Sequence, residues 1–242
     1  MYSNCIQLSW YSVLRTMYRH RHSQIAVPRE DALYMNDTNK NCEHNPFQNV
    51  IAVTNRHLSK RPFLEQIERI CKCHPEAIML REKDLSADEY KKLAAQVLEI
   101  CKAYDIPCIL HTYIHVAKEL GTGNIHLPLE LFSKFAVEIK EGTLPYTFYE
   151  PFVSIGTSVH SVGEAKTAER LGASYITAGH IYATDCKKDL PPRGTEFLRS
   201  ICQTVNIPVY AIGGINPGTG QIEEVKECGA IGGCIMSGMM EI

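Results

Sequence analysis

Between Asn49 and the last residues of the chain, eight short apolar runs alternate with segments of helical character. The runs are 50–54 (VIAVT), 77–81 (AIMLR), 107–111 (PCILH), 124–127 (NIHL), 152–156 (FVSIG), 174–178 (SYITA), 208–212 (PVYAI) and 231–236 (IGGCIM). They are short, rich in β-branched residues and lack polar alternation, which fits strands covered on both faces, as in a parallel sheet. The intervening segments carry helix signals. Ser86 and Glu89 form a Ser-x-x-Glu start, and Leu93, Val97, Leu98 and Cys101 then share one stripe. Ser161 and Glu164 repeat that start in a segment that stops at Gly172. Asn216-Pro217 opens another helix, with proline at its first position, ending near Cys228-Gly229. A Gly-Ala pair precedes a short strand at Gly172-Ala173 and again at Gly229-Ala230, as a repeated βα unit would produce. Eight such units predict a (β/α)8 TIM barrel over residues 49–242. The rival is an open doubly wound sheet, but no early strand carries the Gly-x-Gly-x-x-Gly turn of a dinucleotide fold. After the eighth run only six residues follow, so an eighth helix is expected to be missing. The seam would then be covered by the N-terminal extension, by a partner subunit, or not at all; the plainer alternative is a shortened chain of impaired stability.

Residues 1–48 stand apart from this rhythm and are expected to be a poorly ordered extension, with a polar, Asn-rich linker over 36–49. The apolar stretch 6–14 is followed, not preceded, by Arg15, Arg19 and Arg21, the wrong order for a secretory signal. No run approaches the roughly 20 apolar residues of a membrane span. A formal net charge of −2 gives no basic footprint for nucleic acid. The ten cysteines are scattered, several inside apolar runs, which fits a reduced, cytoplasmic protein. Cys71-Lys72-Cys73-His74 invites a metal but lacks a second pair at finger spacing.

In a barrel of this kind the site lies at the C-terminal strand ends. There the sequence delivers Arg81 and Lys83, His111, His126, Ser158 and His160, then His180, then Gly213-Gly214, and finally Ser237-Gly238. The glycines before a helix, with Ser237 on the adjacent strand, suit a phosphate cup; the alternative is a tight turn alone. Arg81 and Lys83 alternate, so both can face one anionic group; otherwise they belong to a solvated rim with Glu82 and Asp84. Lys187 and Lys188 add charge from the loop after the sixth run, or are surface lysines. An imidazole at the sixth strand end, titrating near neutrality, can carry a proton between two carbons. Equally, His180 can be a structural histidine bonded to a loop carbonyl.

The strings TNRHL, IMLREKD, GTSVHSVGEA, GHIYATDCKKD, AIGGINP and IMSGM, in this order, resemble the thiamine phosphate synthase superfamily over about residues 49–240. The resemblance implies a (β/α)8 barrel of thiamine biosynthesis and one of two activities. The synthase branch joins a pyrimidine diphosphate to a thiazole phosphate with Mg²⁺. The tautomerase branch, often described as a transcriptional regulator, aromatises a thiazole carboxylate phosphate by moving a proton and needs no metal. Where the synthase has Gln, Asp and Asp, this chain has Met79, then Thr112 in Leu110-His111-Thr112, then Leu127-Pro128-Leu129-Glu130. His180 and the string Thr184-Asp185-Cys186-Lys187-Lys188 look like the tautomerase branch. The resemblance implies His180 as proton carrier, Arg81, Lys83, Ser158, Thr184 and Lys187 on the substrate, and Gly213, Gly214 and Ser237 on the thiazole phosphate. The expected function is metal-independent thiazole tautomerase. The alternatives are a Mg²⁺-dependent synthase and a non-catalytic regulator that binds thiazole phosphate. The superfamily also implies a homodimer.

Overall fold

A computed structural model describes residues 45–184 and 190–242. The extension expected over residues 1–48 lies almost wholly outside the described residues. Eight parallel strands close on themselves in chain order: β1 Val50–Val53, β2 Ala77–Leu80, β3 Cys108–His111, β4 Asn124–Pro128, β5 Ser154–Val159, β6 Tyr175–Gly179, β7 Val209–Ile212 and β8 Gly232–Ile235. Each is followed by a helix: α1 Phe63–Lys72, α2 Ala87–Ala103, α3 Ile114–Glu119, α4 Leu129–Lys140, α5 Val162–Arg170, α6 Gly194–Cys202, α7 Gln221–Glu227 and α8 Ser237–Glu241. The barrel inferred from the alternation is therefore present, and the open sheet is not. Among the described residues no helix is long and apolar enough to cross a membrane.

The helix starts follow local chemistry. Ser86 accepts the Glu89 amide while the Glu89 carboxylate accepts the Ser86 amide at 2.9 Å, a complete capping box at the head of α2. At α5, Ser161 accepts the Glu164 amide at 3.1 Å, but the Glu164 carboxylate reaches one residue further back, to the His160 amide at 2.6 Å. Thus the second Ser-x-x-Glu pair also ties down the end of β5.

Three expectations need correction. The fifth strand was expected over 152–156 but runs Ser154–Val159. The amides of Val153 and Ser154 both bond to the Gly123 carbonyl, so pairing begins only there. It continues through Ser158↔Thr177 and Val159↔Ala178 against β6. The helix after β7 does not begin at Pro217. Gly218 and Gly220 both adopt left-handed backbone (φ +73° and +77°), the Gln221 side chain accepts the Asn216 amide at 2.9 Å, and α7 starts at Gln221. Finally, the residues after β8 do form a helix, α8, of five residues. Met239 and Met240 are fully buried, Gln66 of α1 donates to the Met239 carbonyl at 2.8 Å, and Arg61 donates to the Ile242 carbonyl. The seam itself is closed by direct β1–β8 pairing, Val50↔Gly233 to Ala52↔Ile235.

The core has two compartments. The larger lies between strands and helices. The smaller fills the barrel interior with Ile51, Val53, Met79, Ile109, Tyr175, Tyr210 and Cys234. The tyrosine rings meet edge to face at 5.7 Å. Gly156 makes room for Tyr175: a Cβ there would lie 2.1 Å from the ring. At the N-terminal end of the barrel Tyr210 donates to the buried carboxylate of Glu76. That carboxyl is pushed up to about 7 by burial, opposed by the Tyr210 hydrogen bond.

Candidate active site at the C-terminal mouth

The mouth is organised first at β1 and β2. Glu82 is buried, and its carboxylate accepts the Thr54 hydroxyl at 2.7 Å and the Arg56 amide at 3.1 Å. Thr54 in turn accepts the Arg81 amide at 2.9 Å. The Arg56 guanidinium reaches both Glu82 (3.2 Å) and Asp84, and holds Asp84 far below the usual carboxylate range. Glu82 and Asp84 are thus committed to Arg56, leaving Arg81 half-buried and Lys83 exposed. Partial desolvation by the surrounding protein and then the neighbouring Arg81 lower the Lys83 ammonium. Both cations also disfavour protonation of the imidazoles on β3 and β4. Arg81 and Lys83 are thus both close enough to be felt at His111 and His126.

Those imidazoles, His111 and His126, stack at 5.4 Å between ring centres. His111 engages the Thr112 hydroxyl at 2.6 Å. Burial holds His126 down at about 3, with Lys83 and then Arg81 adding to the effect. His111 is likewise held well below its ordinary value by burial and by His126. Neutral imidazole is therefore the form present near pH 7.

Ser158 sits across from His126. Its Oγ lies 2.9 Å from His126 Nε2 and accepts the Thr177 hydroxyl at 3.0 Å; His126 Nδ1 lies 3.1 Å from the Tyr175 hydroxyl. His160 at the end of β5 is exposed and reaches the Gly179 carbonyl at 2.8 Å, tying β5 to β6. His126 was expected at this mouth from its strand end, whereas Tyr175 and Thr177 were not among the residues expected in the site. Their signal was the inward alternation of Tyr175, Thr177 and Gly179 along β6.

His180 follows β6 directly and is 5% exposed; the Gly179–His180 peptide is cis. Its Nε2 lies 3.3 Å from the Leu190 carbonyl, and its buried Nδ1 has no partner among the described residues. The loop-carbonyl contact weighed as the structural alternative is therefore real, and it occupies one nitrogen only. Gly213 (φ +102°) lies against His180: a Cβ there would be 2.4 Å from the histidine Cβ. Gly214 (φ +71°) approaches the Ala183 carbonyl, 2.3 Å from where its Cβ would be. The pair thus lets the β7 loop close onto the β6 loop, which only glycine permits at these angles. Gly238 lies against Pro217, so the loops after β7 and β8 also pack together, with Ser237 exposed beside them. The anion cup expected from a helix beginning right after the glycines needs amending, because α7 begins only at Gln221. Thr184 is half-buried at the edge of the described loop, and Lys187 and Lys188 lie outside the described residues.

The Cys71-Lys72-Cys73-His74 stretch does not gather: Cys71 is buried in the core, Cys73 is part-exposed and His74 is exposed with φ +49°. The seven described cysteines are free.

The description thiamine monophosphate synthase matches residues 50–239, the whole barrel. The chain belongs to the thiamine monophosphate synthase family. Among curated family members, the thiamine-phosphate synthase 2 of Streptococcus pneumoniae serotype 4 is 32% identical over 190 residues, covering 78% of this chain and 86% of that protein. The thiamine-phosphate synthase of Fusobacterium nucleatum is 32% identical over 180 residues, covering 74% and 82%. Among solved structures, the thiamine phosphate pyrophosphorylase from Pyrococcus furiosus superposes with a TM-score of 0.64 at 27% identity, covering 81% of this chain and 88% of that one.

The synthases of this superfamily are expected to use Mg²⁺, which takes hard oxygen ligands. At the two corresponding strand ends this family member offers His111 and Thr112, then Pro128, Leu129 and an exposed Glu130. The nearby carboxylates Glu82 and Asp84 are taken by Arg56. Among the described residues no three His, Cys, Asp or Glu side chains converge to hold a metal ion. These donors do not fit Mg²⁺.

Proposed function

We propose that this family member works in thiamine biosynthesis as a thiazole tautomerase, with His180 as the proton carrier. The observation that carries the reading is the His180 ring. Its Nε2 faces the Leu190 carbonyl, so that nitrogen bears the hydrogen, and Nδ1, without a partner among the described residues, is left as a lone-pair acceptor. An imidazole prepared in this way takes a proton from the ring carbon bearing the carboxylate and returns it to the exocyclic carbon. Aromatisation supplies the driving force; the protein supplies orientation and a positioned base. Arg81, Lys83, Ser158, Thr184 and Lys187 bind the substrate in this reading, and Gly213, Gly214 and Ser237 take its phosphate. The cytoplasm is the compartment that suits free cysteines and this pathway.

The second reading is thiamine phosphate synthesis. The names of the relatives favour it, and on the comparisons alone it stands ahead of the tautomerase. The donor set at β3 and β4 speaks the other way. An assay with the non-aromatic thiazole carboxylate phosphate, with and without Mg²⁺, separates the two. The tautomerase reading expects turnover that persists without Mg²⁺ and drops about 100-fold or more in His180→Ala. Full turnover in His180→Ala sinks it. Mg²⁺-dependent thiamine phosphate production from the two precursors establishes the synthase instead, and binding of thiazole phosphate without turnover by either route points to a regulatory module.

A further inference from the structure

Tyr175, His126, Ser158 and Thr177 form a chain of three contacts, at 3.1, 2.9 and 3.0 Å. With a neutral imidazole the four side chains bring one polar hydrogen each, and each contact uses one. One hydrogen is therefore left over, either at the Tyr175 end or in the Ser158–Thr177 half of the chain. At the Tyr175 end it would be trapped: the residue is buried in the barrel interior, and among the described residues its hydroxyl meets only His126. A buried O–H without an acceptor is costly. Tyr175 also keeps its proton, because burial raises it well above its ordinary value. Its O–H accordingly donates to His126 Nδ1, which leaves the imidazole hydrogen on Nε2, directed at Ser158. Thr177 is 1% exposed and donates to Ser158 as well. Ser158 Oγ then accepts twice, and its own hydrogen is the one left over.

We propose that His126 is a positioning residue, held as its Nε2–H tautomer by Tyr175, and that it turns the Ser158 hydroxyl hydrogen outward as a donor to an anionic oxygen of the substrate. The inference rests on the reading of Ser158 as a substrate-binding residue. His126 touches no substrate itself. Its stacking on His111 at 5.4 Å and the ring space left by Gly156 hold the imidazole and Tyr175 in place. The arrangement makes a neutral serine a one-way donor: it rewards an oxyanion at that point and penalises a ligand donor such as an amine, since both lone pairs of Ser158 are engaged.

The tautomer is read directly by two-bond nitrogen–proton NMR on protein labelled at histidine nitrogens, assigned with His126→Gln. The Nε2–H pattern is expected for His126 near pH 7, and an Nδ1–H pattern overturns the proposal. Binding supplies the second arm, with the aromatic thiazole phosphate as probe. His126→Leu is expected to weaken binding ten- to hundredfold, the range of a hydrogen bond to a charged group. His126→Gln, which keeps an N–H near the Nε2 position, is expected to recover part of that loss. Binding unchanged in His126→Leu, or no better in His126→Gln than in His126→Leu, rejects the positioning role. If the wild-type chain does not bind the probe at all, the proposed function fails while the tautomer measurement still decides the geometry.

Discussion

At the scale of single residues, Glu82 shows how much of the mouth hangs on one buried carboxylate. It gathers the Thr54 hydroxyl, the Arg56 amide and the Arg56 guanidinium, and through Thr54 it fixes the Arg81 amide. Glu82→Ala leaves the Thr54 and Arg56 donors without their acceptor in a largely dry setting. The expected loss is about 2–4 kcal/mol of unfolding free energy, read from urea midpoints at unchanged slope. Thr54→Val, which removes one of those bonds and the link to Arg81, is expected to lose about 1–2 kcal/mol. An Ala variant as stable as wild type contradicts the central place given to Glu82. In sequence, Glu82 looked like part of a solvated rim, because a carboxylate between Arg81 and Lys83 reads as a surface charge. Its burial depends on Thr54 and Arg56, 28 and 26 positions away. The place of His180 was legible, because the apolar run of β6 ends just before it. Tyr175 and Thr177 were harder to see, since tyrosine and threonine inside a strand read equally well as packing residues.

At the scale of elements, the alternation in sequence located all eight strands because each is short, apolar and separated from the next by a segment of helical character. Boundaries failed where pairing or turn geometry, not composition, decides them. Phe152 and Val153 are as apolar as any strand residue, yet a turn and the shared Gly123 carbonyl delay β5 to Ser154. Asn216-Pro217 imitates a helix start, yet two left-handed glycines intervene before α7. Close strand packing adds a constraint that can be ranked. Gly179 faces the Ile212 carbonyl, 2.4 Å from where a Cβ would sit, and that oxygen belongs to the β7 backbone. Gly156 instead faces the Tyr175 ring tip. A ring tip yields by rotation, whereas a paired strand does not. Gly179→Ala is therefore expected to destabilise the barrel more than Gly156→Ala, for which overpacking of about 1–3 kcal/mol is expected. Urea unfolding of the two variants side by side tests the ranking, and the reverse order refutes it.

At the scale of the whole molecule, the barrel holds opposed titrating groups at its two ends, and together they set how stability depends on pH. At the mouth His111 and His126 are kept neutral, with His126 down at about 3. In the unfolded chain both take up protons near 6.5. The unfolded state thus binds more protons below 6.5, so these two groups make stability fall as pH drops below that value. At the opposite end Glu76 is held up at about 7 from 4.5. Here the folded state keeps a proton that the unfolded state releases, so Glu76 makes stability fall as pH rises from about 4.5 to 7. Between 4.5 and 6.5 two imidazoles oppose one carboxyl, and wild-type stability rises with pH. Between 6.5 and 7 the unfolded imidazoles and Glu76 titrate together, their opposed effects nearly cancel, and the curve levels off. Glu76→Gln removes the second effect alone, with a neutral side chain that still meets the Tyr210 hydroxyl. Compared with wild type, it is expected to gain on the order of 3 kcal/mol between pH 4.5 and pH 8, the 4.5-to-7 shift at 1.36 kcal/mol per unit. Its stability should then climb more steeply than wild type and go on rising past pH 6.5, where the wild type levels off. Urea unfolding of both proteins across pH 4.5 to 8 checks this. A difference between them that does not grow with pH means that the Glu76 carboxyl is not held neutral by the barrel. The same set of curves isolates the mouth: His126→Gln should flatten the acid limb and bring out a decline toward pH 7, where Glu76 then outweighs the one remaining imidazole.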